Sequence, residues 1–129
     1  MQRVTVNSAS APAAVGPYSH AVRTDGELLF ISGQLPLDPA TGEIVGSTAP
    51  EQARRCLENL QAVAAAAGGS LGGAVKVTVY LTDINSFAEV NEVYSSYFTT
   101  DPPARVALAV AALPKGALVE IDAVVALDG

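Results

Sequence analysis

From Pro102 to Leu127 the chain reads PPARVALAV, AALPKGA and LVEIDAVVAL, with a period of two in its outer thirds. Val106, Leu108 and Val110 alternate with Arg105, Ala107 and Ala109; Val119, Ile121, Ala123 and Val125 alternate with Glu120, Asp122, Val124 and Ala126. That period predicts two β-strands, each with one uniformly apolar face. Pro114-Lys115-Gly116 between them suits a type I turn. Opposed residues of an antiparallel pair share a face, so keeping the apolar sets together places Val106 against an odd-numbered residue such as Ile121. The same register gathers Arg105, Glu120 and Asp122 on the other face, either as a cross-strand ion pair or as a site.

The same patterning organises the rest of the chain. Val4 to Val6 predicts a short first strand, and Ser19 to Thr24 and Glu27 to Gln34 two more around the hairpin dipeptide Asp25-Gly26. LLFISGQ is apolar at successive positions, as in a central strand covered on both sides, and Gly33 within it marks a bulge or a close approach to the backbone. Thr48-Ala49-Pro50-Glu51 has capping-box spacing. It precedes a helical stripe of Ala53, Cys56, Leu57, Leu60, Val63, Ala64 and Ala67 that Gly68-Gly69 ends. Val75, Val77, Val79 and Leu81 predict a further strand. Ser86-Phe87-Ala88-Glu89 again has capping-box spacing, before a second helix with Phe87, Val90, Tyr94, Tyr97 and Phe98 as its apolar stripe and Asn91 within or beside it. The order is strand, strand, strand, helix, strand, helix, strand, strand, an α+β pattern in a single domain over 1–129. Two helices cover one face of such a sheet, so the small apolar residues Ala107, Ala109, Val124 and Ala126 on the other face predict a homo-oligomer.

Composition narrows the function classes. The 13 acidic against 7 basic residues give a net charge of −6 with no Lys/Arg cluster, so no nucleic-acid partner is expected. The single cysteine, Cys56, excludes an internal disulfide and lies in the helical stripe, where a buried thiol is expected rather than a nucleophile. The N-terminal sequence has no secretory pattern, and no apolar run reaches the roughly 20 residues of a membrane helix. A cytoplasmic protein with no membrane association is the simplest expectation.

The motifs exclude much and leave little. His20 is the one histidine, HExxH and paired Cys/His spacings are absent, and the GGSLGG linker lacks the GK[ST] of a phosphate loop. No metal site and no nucleotide-binding loop are expected. Ser32 lacks the glycine pattern of a nucleophile elbow. Arg105 remains as a carboxylate clamp, Glu120 as an acid/base group, and Gly33 as an unusual strand residue.

GPYSHA (16–21), ISGQLPLDPATGEIV (31–45), VKVTVYLTDINSFAEVNEVYSSYF (75–98), and PPAR with LPKGALVEIDA (102–123) resemble the RidA family, also called YjgF/YER057c/UK114. The resemblance spans nearly the whole chain. It implies a chorismate-mutase-like α+β fold, a homotrimer whose sheets line a central barrel, and sites at the subunit interfaces. It also implies hydrolysis of reactive 2-enamine and 2-imine acids, such as 2-aminoacrylate and 2-iminobutyrate, to 2-keto acids and ammonia, without a cofactor. Such intermediates leave pyridoxal-phosphate dehydratases, which makes those enzymes the implied functional link.

By the same resemblance Arg105 binds the substrate carboxylate and Glu120 holds or activates the attacking water, these two being the catalytic pair. Tyr18, Ser32, Gly33, Asn91 and Ala107 match pocket positions. Val106 stands where Ser or Thr is usual, with a side chain expected to face the core, Ala107 where Cys or Thr is common, and Ala112 where Arg is frequent. These departures bear on substrate choice more than on fold. A carboxylate-binding or chaperone-like trimer without turnover, and an endoribonuclease, are the alternative readings, the second opposed by the charge.

Overall fold

Two helices lie against one face of a four-stranded sheet, and a separate two-stranded ribbon carries the N-terminal strand. The computed structural model describes residues 3–127. The strands are β1 (Arg3–Val6), β2 (Ala21–Thr24), β3 (Glu27–Gln34), β4 (Ala74–Leu81), β5 (Ala104–Ala109) and β6 (Val119–Leu127); the helices are α1 (Ala49–Ala66) and α2 (Phe87–Tyr97).

α1 forms as its sequence dictates. Thr48 accepts a hydrogen bond from the Glu51 N–H while Glu51 reaches back to the Thr48 N–H, and Pro50 sits in the first turn, where no intrahelical donor is lost. Ala53, Cys56, Leu57, Leu60 and Ala64 are buried, whereas Val63 and Ala67 at the margin of the stripe are exposed. α2 starts differently from expectation. The Ser86 side chain makes no capping bond; a single 3-10 turn over Ile84–Ser86, opened by the Asp83 side chain accepting from the Asn85 N–H, leads into it instead.

The sheet order is β3-β6-β4-β5, and it corrects the expected strand partners. β5 and β6 are not a hairpin: β4 lies between them, parallel to β5 and antiparallel to β6. The turn between β5 and β6 is also not type I, because Lys115 (φ 60°) and Gly116 (φ 70°) both lie in the left-handed region, the sign pattern of a type I′ turn closed by Ala117 N–H to Pro114 O at 3.1 Å. Asp25-Gly26 joins strands of different sheets, since β2 pairs with β1 and β3 with β6. β3 is an edge strand rather than a central one, and its Phe30 is 73% exposed.

The ladders fix which side chains share a face. Val77 pairs with Arg105 and Ala123, and Val79 with Ala107 and Ile121. Val77, Val79, Ile121 and Ala123 are buried under the helices with Ala107 packed against them, so Arg105 and Ala107 belong to the helix-covered face. Thr78 pairs with Val106 and Asp122, and Tyr80 with Leu108 and Glu120, which puts these six on the opposite, open face. Val106 therefore faces away from the core. Arg105 and the Glu120–Asp122 pair, expected together, lie on opposite faces because Arg105 takes its register from β4 and not from β6.

Candidate active site

Arg105 is the centre of the first cluster. Its Nη1 donates to Asn91 Oδ1 at 2.6 Å, and its Cζ lies 4.8 Å from the ring centre of Tyr94, 5.3 Å from Phe87 and 5.4 Å from Tyr18. α2 supplies three of these contacts, since Phe87, Asn91 and Tyr94 recur at helical spacing on the side facing β5. The loop before β2 supplies the fourth. Gly16 completes the wall: a Cβ there would come within 3.3 Å of Arg105 Nη2.

Burial lowers the Arg105 pKa, with Tyr94 and Tyr18 opposing, while the aromatic faces and one amide compensate part of the lost hydration. Among the described residues no carboxylate lies within ion-pair distance of it, and Asn91 is its sole hydrogen-bonding side chain. Among the described residues the buried Tyr94 hydroxyl has no hydrogen-bond partner, and burial raises its pKa. A half-buried guanidinium with one terminus spoken for and its faces stacked presents its remaining donors to a planar anion.

The second cluster is built by a strand irregularity. Ile31 pairs with Ala123 and Gln34 with Ile121, so Ser32 and Gly33 together oppose Asp122 in a bulge. A Cβ at Gly33 would fall on the Glu120 carboxyl group, so glycine there is a steric requirement of the Glu120 side chain. Ser32 and Gly33 are exposed. Asp122, by contrast, accepts a hydrogen bond from the Tyr80 hydroxyl at 2.9 Å, which ties it into the sheet surface.

The structure thus brings Arg105, Asn91 and Tyr18 together with Ala107 on the same face, and Glu120 with Gly33 and Ser32 at the β3–β6 seam, without joining the two groups in one chain. In the sequence Gly16 does not read as a site residue, and Phe87 and Tyr94 read only as packing. Their signal was Asn91, a polar residue at i+4 from Phe87 inside an aromatic stripe that otherwise reads as core.

Comparison with known proteins bears on this pair of clusters. The family model described as Endoribonuclease L-PSP matches residues 8–127. The chain belongs to the RidA (YjgF) family. Among its relatives, the RutC family protein y4sK of Sinorhizobium fredii is 57% identical over 122 residues, covering 95% of this chain and 96% of the relative. The human 2-iminobutanoate/2-iminopropanoate deaminase is 47% identical over 122 residues, covering 95% of this chain and 88% of the human one. The crystal structure of E. coli TdcF with bound serine superposes with a TM-score of 0.73 at 40% identity, over 97% of this chain and 99% of that one. The mixed sheet with two helices on one face is the fold of these RidA proteins.

Proposed function

We propose that this RidA-family protein hydrolyses 2-imino and 2-enamino acids of the 2-iminobutyrate and 2-aminoacrylate type to 2-keto acids and ammonia. The observation that carries the reading is the Arg105 guanidinium, half-buried, braced by Asn91 and three rings, and without a carboxylate partner among the described residues. The named activity of the human relative and the serine bound by TdcF support a small amino-acid-derived carboxylate as its ligand.

In this reading Arg105 takes the substrate carboxylate and Glu120 holds a water. A 2-enamino acid first takes a proton at carbon to become the iminium. As the water oxygen attacks the iminium carbon, Glu120 accepts one water proton and a neutral carbinolamine forms; that proton is returned to the nitrogen, and as the C–N bond breaks to release ammonia the carbinolamine hydroxyl gives its proton back to Glu120, leaving the 2-keto acid. An iminium carbon is already electrophilic, so holding carboxylate and water in place supplies most of what the reaction needs. Ala107 beside Arg105 leaves more room than a Cys or Thr would.

Arg105 and Glu120 face opposite sides of one sheet, so a site using both is assembled between chains. The open face supports this: Phe30, Leu28, Val106 and Leu108 are large, apolar and 37–73% exposed. We assign that face to the interior of a homotrimeric barrel, with Arg105 of one subunit opposite Glu120 and Gly33 of the next. Only names, those of the family model and of two similar solved structures, favour a ribonuclease reading, and the net charge of −6 opposes it.

The test is release of keto acid from serine or threonine by a pyridoxal-phosphate dehydratase. Wild-type protein accelerates it and Arg105→Ala does not. Saturable binding of 2-ketobutyrate without acceleration would establish a non-catalytic carboxylate binder instead. Co-assembly of Arg105→Ala and Glu120→Ala chains restores about a quarter of the sites if the site is shared between chains, and none if it is not.

A further inference from the structure

The stretch between β1 and β2 contains no helix or strand, yet it delivers Gly16 and Tyr18 to Arg105. His20 is what ties it down. The Ser8 N–H donates to His20 Nδ1 at 3.0 Å, and His20 Nε2 lies 2.6 Å from the Pro12 carbonyl oxygen. The His20 N–H donates to Asn7 Oδ1 at 2.9 Å. Because Nδ1 must accept, the ring proton resides on Nε2, where it is donated to Pro12, so one neutral tautomer satisfies both contacts.

The imidazole therefore staples two points of the segment, four residues apart, to the start of β2. The far end is fixed by Ser19, whose N–H and Oγ donate to the carbonyls of Pro103 (3.2 Å) and Pro102 (2.6 Å), just ahead of Arg105 in the chain. Between these anchors Tyr18 is shaped locally. Its N–H donates to Gly16 O at 2.8 Å and its hydroxyl accepts from the Val15 N–H at 3.3 Å.

We infer that His20 is a positioning residue of the carboxylate site: it holds the segment from Asn7 to Tyr18 as a strap that keeps Gly16 and the Tyr18 ring against the Arg105 guanidinium. The inference rests on Arg105 being the carboxylate clamp. His20 itself touches no reacting atom. It acts by fixing the wall against which the guanidinium is oriented.

The test is equilibrium binding of 2-ketobutyrate together with the dehydratase-coupled assay. His20→Leu removes both ring contacts and is expected to raise Kd and KM about tenfold, with kcat within about twofold. His20→Gln can accept through its carbonyl and donate through its amide, and is expected to stay within about threefold of wild type. In a Tyr18→Ala background His20→Leu adds less than about twofold, because the group it positions is already gone. Unchanged Kd and KM in His20→Leu, or effects of His20→Leu and Tyr18→Ala that simply multiply, would overturn the role. Should His20→Leu fail to fold, Ser8→Pro at its exposed site decides, because it removes the N–H that His20 Nδ1 accepts: about a threefold rise in KM supports the staple, and no change overturns it. A wild-type protein that binds no 2-keto acid overturns the reading of Arg105 and this inference with it, whereas binding that His20→Leu leaves intact overturns the His20 role alone.

Discussion

Asn91 Oδ1 accepts from Arg105 Nη1 at 2.6 Å, a contact between the middle of α2 and the first turn-out of β5. An amide oxygen steers a guanidinium without neutralising it. Asn91→Ala is expected to weaken 2-ketobutyrate binding by about tenfold through lost orientation. Asn91→Asp sets a permanent carboxylate against the clamp, so it should weaken binding further while leaving thermal stability equal or higher. Titration calorimetry beside thermal melts checks the order; tighter binding by Asn91→Asp would contradict it.

Gly33→Ala puts a methyl group where the Glu120 carboxyl lies. The atoms displaced belong mainly to the end of a flexible side chain, so Tm should fall by only a few degrees. Activity should suffer more. Moving the proposed acid/base group is expected to lower kcat by about 100-fold with KM changed little. Steady-state kinetics and calorimetry on the same variant separate the two effects.

Cys56 is fully buried, and burial with the nearby Glu120 charge pushes its pKa up to about 12. Native protein should resist thiol alkylation at pH 8 and react only once unfolded. The folded thiol stays protonated while an unfolded thiol ionises near its ordinary value of 9.0, so the unfolded state binds fewer protons in the window from about 9 to about 12. Stability is therefore unaffected by this group below that window and falls as pH rises through it, by up to about 1.4 kcal/mol per pH unit. Denaturant melts of wild type and Cys56→Ala at pH 8, 9 and 10 should show the excess slope in wild type only.

Phe30→Asp places a charge on the open sheet face beside Leu28. On the proposed assembly, sedimentation is expected to shift from trimer toward monomer, and the proposed deaminase activity to fall in parallel, although Phe30 belongs to neither cluster. A trimer that survives the substitution would remove the open face from the interface.

Much of the architecture could be read from local signals. The capping box and stripe of α1, the alternation in β4, and the bulge signalled by Gly33 all depend on neighbours within a few residues. Strand partnership does not. β5 and β6 alternate as cleanly as a hairpin would, but α2 carries the chain back so that β5 lies parallel to β4, and β4 separates the two. The alternation in β5 also identified two faces without saying which one the helices cover. Val106 and Leu108 have the composition of core residues while standing on the exposed side, because a surface suited to another chain and a surface suited to a helix are written in the same residues. The aromatic box was hidden for a related reason: Phe87 and Tyr94 serve packing and the guanidinium at once.

The two clusters are inherited in different ways. Phe87, Asn91, Tyr94 and Arg105 come from one continuous arm, α2 running into β5, whereas Glu120 and Gly33 meet only because distant strands are neighbours. If Arg105 captures the carboxylate and Glu120 works on it, as proposed, the two tasks are free to drift apart in evolution: a descendant that kept the arm and lost Glu120 would go on binding the same ligands, so within such a lineage catalyst and sensor would be separated by a single side chain.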